Sequence, residues 1–291
     1  MRRTSLILLA VLVGVLFFMA LLLYAFQDRL LYFPLRTIGA TPESVGLSYD
    51  DVDFVSSDGV PLTGWFVPVE HPRATVLFCH GNGGNISLLI ESVRMFHSLQ
   101  LNVLVFDYRG YGRSEGSPDE EGTYADAEAA WHYLTDTMGV PPAKILVVGR
   151  SLGGAIAAWL TARNTPAALV IESSFTSLPD LASELYPWLP VRILTRYAYD
   201  TEGSLASVHC PVLVIHSRDD EVIPFTHGEE LFGAVQTQKT FLEIRGRHNE
   251  GFLLSSKAYL GAIDTLLRSA LKTEPATRDE RSAGSHSRQI P

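Results

Sequence analysis

Two pentapeptides of the form Gly-x-Ser-x-Gly stand in this sequence, Gly112-Arg113-Ser114-Glu115-Gly116 and Gly149-Arg150-Ser151-Leu152-Gly153. A serine framed in this way becomes a nucleophile toward acyl carbon when a strand ends in a tight turn that runs straight into a helix. The turn lifts the hydroxyl above the sheet, and the positive end of the helix dipole favours negative charge developing there. The second pentapeptide has those flanks. Lys144-Ile145-Leu146-Val147-Val148 leads in as an apolar strand, and Gly154-Ala155-Ile156-Ala157-Ala158-Trp159-Leu160 leads out with helical composition. Small residues beside Ser151 let backbones approach closely. Ser114 follows Asp107-Tyr108-Arg109-Gly110-Tyr111-Gly112 and precedes Pro118 and acidic residues, so it reads as a turn serine. Ser151 is the expected nucleophile. Its alternative role is a helix N-cap, with the hydroxyl bound to a backbone N–H of the first turn.

A serine hydroxyl is a weak nucleophile and needs a base. In strand–turn–helix sites an acid and then a histidine follow the serine along the chain. After the last apolar strand, Phe241-Leu242-Glu243-Ile244-Arg245, comes Gly246-Arg247-His248-Asn249, which puts His248 on the loop where the base belongs. His227 is the rival but falls within a helical stretch, while His71, His97, His132 and His286 read as surface residues. The acid should follow the strand Val212 to Ile215, where Asp219, Asp220 and Glu221 precede Val222-Ile223-Pro224. Spacing to that turn favours Asp220 over Asp219, and Glu221 reads as solvated or as a helix N-terminal charge. The carboxylate would accept the imidazole N–H, fix its tautomer and stabilise the imidazolium. The loop His80-Gly81-Asn82-Gly83-Gly84-Asn85 follows an apolar strand, Ala74 to Cys79. So many glycines allow backbone N–H groups to be aimed at a tetrahedral oxyanion. The N–H groups of Asn82 and Leu152 are the expected donors. The alternative for this loop is a plain glycine turn before a helix capped by Asn85.

These signals occur in one order: the His80 loop, the segment Asp107 to Ser114, the turn at Ser151, then Asp220 and His248. From about Asp50 to Leu271 the chain resembles the α/β-hydrolase superfamily. Its N-terminal apolar run followed by Leu30-Leu31-Tyr32-Phe33-Pro34 is similar to the single-pass α/β-hydrolase-domain proteins, whose members include protein depalmitoylases and lysophospholipid lipases. The acid segment departs from that pattern, with His216-Ser217 where such proteins usually carry His-Gly. The resemblance implies the α/β-hydrolase fold. That fold hosts esterases, lipases, peptidases, dehalogenases and some non-enzymes, so it does not name a substrate.

Around the site the chain alternates short β-branched runs with longer helical ones. Val52 to Val55 and Leu62 to Val67, joined around Asp58-Gly59, read as a hairpin. Strands are expected at Ala74 to Cys79, Asn102 to Phe106, Ile145 to Val148, Ala168 to Ile171, Val212 to Ile215 and Thr240 to Ile244. Helices are expected at Ile86 to Leu99, Tyr124 to Met138, Ser151 to Arg163, Phe225 to Val235 and Gly251 to Leu271. This alternation predicts an α/β fold: a mostly parallel sheet covered on both faces, with the hairpin adding antiparallel strands at one edge. Glu172 to Pro211 is left as an irregular stretch. It is rich in apolar residues and passes over the C-terminal ends of the strands, so residues 173–209 are expected to form a short cap. Leu178, Tyr186 and Trp188 are its expected acyl-pocket residues. The alternative is that the stretch folds into small helices packed on the core.

From Leu6 to Phe26 no residue is charged. At about 1.5 Å per residue that run spans about 30 Å, the hydrocarbon thickness of a bilayer. It is longer than a signal-peptide apolar region and lacks a small-x-small exit, so an uncleaved anchor is expected over a cleaved signal. Tyr24, Phe26, Tyr32 and Phe33 read as an interfacial aromatic belt, with packing against the soluble domain the alternative for Tyr32 and Phe33. Arg2 and Arg3 precede the run while Arg29 and Arg36 follow it, a small bias toward a cytoplasmic N-terminus and a catalytic domain on the non-cytoplasmic side. The expected division is residues 1–27 as anchor, 28–49 as juxtamembrane linker, 50–272 as hydrolase domain and 273–291 as disordered tail. Hydrophobic residues make up 46% of the chain and the net charge is -9, which excludes a disordered protein and disfavours nucleic acid as a partner. The two cysteines, Cys79 and Cys210, form no metal-ligand spacing and read as buried small hydrophobes. The expected activity is hydrolysis of carboxylic esters or thioesters of acyl, lipid-like substrates through an acyl-enzyme, with no metal or organic cofactor. Alternatives are an amidase or peptidase with the same triad, and a non-catalytic membrane-anchored interaction protein.

Overall fold

The computed structural model describes residues 2–272; the tail expected from Thr273 lies outside the described residues. An apolar helix, α1 (Arg2–Ala25), opens the chain, followed by a short helix, α2 (Gln27–Leu31), and a two-residue strand, β1 (Phe33–Pro34). The stretch Arg3–Ala25 is long and apolar enough to cross a membrane, and none of it is buried against the rest of the protein. The hairpin is β2 (Asp50–Val55) and β3 (Pro61–Val67), followed by β4 (Ala74–Cys79) and a two-residue β5 (Gly83–Gly84). Then come α3 (Ile90–Ser98), β6 (Leu101–Phe106), α4 (Glu120–His132), β7 (Ile145–Arg150), α5 (Leu152–Arg163) and β8 (Ala168–Glu172). The stretch between β8 and β9 is not irregular. It holds the short helices α6 (Leu178–Leu185), α7 (Val191–Leu194) and α8 (Thr201–Leu205). The chain continues with β9 (Val212–Ser217), α9 (Phe225–Ala234), β10 (Lys239–Ile244), α10 (Gly251–Leu254) and α11 (Ser256–Lys272).

The main sheet has eight strands in the order β10-β9-β8-β7-β4-β6-β3-β2. The strands from β10 to β6 pair in parallel, and β3 joins both β6 and β2 in antiparallel register. Parallel strands are covered on both faces and so read as continuous apolar runs. The alternation is nonetheless strict: Ile145 and Val147 of β7 enter one core with α4 and α5, while Leu146 and Val148 enter the other with α3 and α11. Cys79 and Cys210 are buried and free, and burial pushes each thiol up to about 12. The expected helix from Tyr124 to Met138 begins earlier, where Asp119 caps the N–H of Gly122, and its last turn widens at Tyr133–Thr137. The final helix is broken at Ser255 into α10 and α11.

The segment 28–49 is bonded into the domain along much of its length. Its strand β1 pairs in parallel with β5, Phe33 opposite Gly83 and Pro34 opposite Gly84. Gln27 and Asp28 reach the cap: Gln27 Nε2 donates to Leu194 O at 2.5 Å, Arg196 N donates to Gln27 Oε1 at 2.8 Å, and the Tyr197 hydroxyl bonds Asp28.

Candidate active site

Ser151 sits between β7 and α5 with φ 55° and ψ −124°. A non-glycine residue pays strain for that backbone, and such strain persists where the surroundings enforce it. Here close packing does so. A Cβ on Gly149 would come within 2.1 Å of Gly153 O, and one on Gly153 within 2.1 Å of Cys79 O. The turn therefore requires glycine on both sides of the serine, and the pentapeptide is a packing requirement as well as a signature. Ser151 N donates to Glu172 O at 2.9 Å, which ties the turn to the neighbouring strand. Its hydroxyl makes no capping bond to α5, although Ser151 occupies the N-cap position. The side chain is half-buried and borders Gly81 of the glycine loop, whose Cβ position is 3.5 Å from Ser151 Cβ. Ser114, by contrast, is buried and committed: its Oγ donates to Asp107 O at 2.7 Å and accepts Thr63 N at 3.0 Å.

β4, β7, β9 and β10 run parallel, so the loops that follow them emerge on one edge of the sheet. That edge carries Asn82, Ser151, Asp220 and His248. His248 Nδ1 lies 2.8 Å from Asp220 Oδ2, and both side chains are buried. Asp220 Oδ1 also accepts the N–H groups of Val222 and Ile223, each at 2.9 Å. Burial pushes the Asp220 carboxyl up, but the bonds from His248 and the two amides outweigh it and hold the group below its usual range. An ionised Asp220 accepts the proton on Nδ1, which leaves His248 Nε2 as the basic nitrogen. Ser217, where His-Gly was the usual pattern, closes the turn: its Oγ donates to Gly246 O at 2.5 Å and accepts Asp219 N at 3.1 Å. His216 is buried with its imidazole pushed down by burial, and its Nε2–H donates to Ile223 O at 3.0 Å.

The α/β-hydrolase-fold family model matches residues 74–204. An uncharacterised protein of Mycobacterium tuberculosis is 41% identical over 83% of this chain and 87% of its own length. The α/β-hydrolase domain-containing protein WAV2 of Arabidopsis thaliana is 36% identical over 82% of this chain and 86% of its own. The chain belongs to the α/β-hydrolase family. Among solved structures an esterase of Pyrococcus furiosus superposes with a TM-score of 0.71, covering 83% of this chain and 98% of that one, at 18% identity. That likeness is one of fold.

Within this α/β-hydrolase Glu221 does more than the solvated or helix N-terminal charge that its place in the sequence suggests. Its carboxylate accepts His248 N at 3.1 Å and Arg247 Nε at 2.9 Å, so it holds the backbone of the histidine loop and is not a purely solvated charge. Arg150, the residue before the serine, carries no such signal in the sequence. Its guanidinium binds Glu172 in bidentate fashion at 2.8 and 3.1 Å, reaches Ser92 Oγ at 3.1 Å and stacks 3.9 Å from the centroid of Phe252. Glu172 in turn accepts Tyr259 OH at 2.8 Å. This buried ion pair joins β7, β8, α10 and α11 behind the serine. An unpaired guanidinium there would be costly.

The rival His227 is buried in α9 and accepts Thr176 N at 3.2 Å through Nδ1. The cap divides into two faces. Leu181, Val191, Tyr197 and Tyr199 are buried, and Leu178 is partly buried against the core, whereas Tyr186 and Trp188 are 49% and 75% exposed. The three residues expected around an acyl chain are thus split between the core-facing and outward-facing sides. Counting apolar residues could not assign those sides, because helices of four to eight residues give too few turns to define a period.

Proposed function

We propose that the chain is a membrane-anchored serine hydrolase that cleaves carboxylic esters or thioesters through an acyl-enzyme. Ser151 Oγ attacks the acyl carbon and passes its proton to His248 Nε2. Asp220 holds the imidazole and balances the charge it gains. The N–H groups of Asn82 and Leu152 receive the oxyanion, and His248 returns the proton to the leaving alcohol or thiol. Water then repeats the sequence on the acyl-enzyme and releases the acid. The observation that carries the reading is the strained Ser151 backbone with a hydroxyl unused by its own helix, on the same sheet edge as the His248–Asp220 pair. A helix cap would need neither the strain nor the free hydroxyl.

The apolar helix α1 supports attachment to a bilayer, with the cap close to its exit. Arg196 of the cap lies over the Tyr24 ring at 5.6 Å, and Trp188 and Ile193 face outward. These contacts favour an acyl substrate that arrives from the lipid phase over a peptide.

Labelling of the full-length protein with a fluorophosphonate tests the nucleophile. Ser151→Ala should abolish labelling and lower ester turnover by several orders of magnitude, on the scale known for loss of a serine nucleophile. Ser114→Ala should keep most of both in whatever fraction folds. The opposite ranking in folded protein would refute the assignment.

A further inference from the structure

The glycine loop that supplies Asn82 is flexible by composition, and a donor contributes fully to oxyanion stabilisation only if it is aimed before the charge develops. Local bonds begin the task. His80 Nδ1–H donates to Gly81 O at 2.7 Å, and the same peptide carries the N–H of Asn82 on its opposite side. Fixing that carbonyl fixes the direction of the donor. Asn82 itself is then held from outside the loop. Its carbonyl accepts Phe33 N at 3.0 Å and Tyr111 OH at 2.8 Å, and its side-chain Nδ2 donates to Leu31 O at 2.8 Å. Leu35 N donates to Gly84 O at 2.9 Å, and Asn85 Nδ2 donates to Leu35 O and Thr37 O at 2.9 and 2.8 Å. Most of these bonds come from the stretch that directly follows the apolar helix. The same stretch grips the cap, where Tyr32 OH and Tyr199 OH meet at 2.7 Å.

We infer that Leu31–Leu35 is a positioning element of the oxyanion hole, built into the exit of the membrane anchor. The inference rests on the serine-hydrolase reading with Asn82 as a donor. The segment sets the φ and ψ of Asn82 by binding its carbonyl and its side chain, so the N–H is aimed while the site is empty. The chain leaving the bilayer is in this way part of the catalytic domain.

Phe33 gives a clean test because its side chain is 55% exposed while its N–H is used. Phe33→Pro removes the N–H, and the extended backbone of Tyr32 (φ −104°, ψ 129°) suits a residue before proline. Phe33→Ala keeps the N–H and serves as the conservative control. Full-length protein in detergent micelles would be assayed with a p-nitrophenyl ester. Loss of a whole oxyanion donor costs about 100- to 1,000-fold in kcat. A misaimed donor should therefore cost Phe33→Pro at least about tenfold in kcat, with KM within about threefold, while Phe33→Ala stays within about twofold of wild type in both. Should Phe33→Pro not fold, Asn82→Ala removes the bond to Leu31 O while leaving every backbone N–H, and the same fall in kcat at constant KM is expected. Wild-type kcat in the folded proline variant, or in Asn82→Ala where the proline variant does not fold, overturns the proposal. So does an equal loss in Phe33→Pro and Phe33→Ala. Absence of Ser151-dependent labelling in the wild type would instead overturn the hydrolase reading, and this one with it.

Discussion

Replacing Asp107 with asparagine should stabilise the protein at alkaline pH, an effect opposite to that of most buried-polar substitutions. Asp107 directly follows β6 and bonds the residue that follows the glycine loop. Its Oδ1 accepts Ile86 N at 2.9 Å, and its Oδ2 is buried with no partner among the described residues. Burial pushes the carboxyl up to about 7, against pull in the other direction from the Ile86 amide, Arg113 and Arg36. His80 stands 3.9 Å away, and burial pushes its imidazole down to about 4, so it is neutral at pH 7. Its Nδ1–H is used on Gly81 O, leaving Nε2 a bare acceptor that also lacks a partner among the described residues. The folded-state value of Asp107 is raised above the unfolded one, near 4, so between pH 4 and 7 the native state keeps a proton that the unfolded chain has released. Stability from this group is complete below about pH 4 and falls as pH rises to about 7. A gap of about three units corresponds to about 4 kcal/mol. Asparagine cannot ionise and keeps the acceptor for Ile86, but its amide lacks an acceptor of its own, at a cost of about 1–3 kcal/mol. The net gain at pH 8 is about 2 kcal/mol, or about 4–8 °C in Tm for a domain of this size. At pH 4 only the cost remains, and the variant should melt below wild type. Thermal unfolding of both proteins at pH 4, 6 and 8 measures the difference directly. A Tm difference that does not change with pH, or one that favours wild type more strongly at pH 8 than at pH 4, would refute a neutral Asp107.

Asp220→Asn should fold and lose about four orders of magnitude in turnover through the wrong imidazole tautomer. Asp219→Asn should cost far less, because that half-exposed side chain meets Gly246 N at 3.2 Å and Arg245 at 3.5 Å and not the imidazole; steady-state kinetics would rank the two, and the reverse order would move the acid upstream. If the cap encloses an acyl chain, kcat/KM should rise from acetyl to octanoyl p-nitrophenyl esters by up to about 0.8 kcal/mol per methylene, and a preference for acetyl below micellar concentrations would exclude such a pocket. The protein should stay in the membrane fraction after high-salt and carbonate washing; recovery of a soluble chain starting near Gln27 would show cleavage instead.

The parts of this fold that could be read from sequence are those with a period or a steric demand. Buried strands such as Ile145–Arg150 announce themselves as β-branched runs, and Ser151 by the glycines that its turn needs. The His248–Asp220 contact was accessible by a different route: chain order and strand ends, which place both on one sheet edge. The contacts of Glu221 and Arg150 were not. A carboxylate that accepts a backbone amide looks in sequence like any surface acid, and the Arg150–Glu172 pair joins neighbouring strands whose order no local pattern reveals.

The contacts of residues 28–49 are hidden in the sequence for a related reason. Dividing the chain by composition separates an apolar helix from a hydrolase domain and leaves residues 28–49 as a tether between them. Yet the bonds that hold Leu31 to Leu35 against the glycine loop are mostly made by the backbone of that segment. Main-chain donors and acceptors are the same in every residue but proline, so such pairing leaves no side-chain signature, and a two-residue strand is too short to show alternation. The side chains of Phe33 and Leu35 face outward, and their exposure says nothing of the amides beneath. The polar counterpart was visible but ambiguous. Asn82 and Asn85 could be read as turn formers, and only the fold reveals that both side chains bond carbonyls of the segment leaving the apolar helix. Where a glycine-rich site loop carries asparagines, the residues that hold it still are therefore to be sought in whichever distant segment offers unpaired main-chain groups.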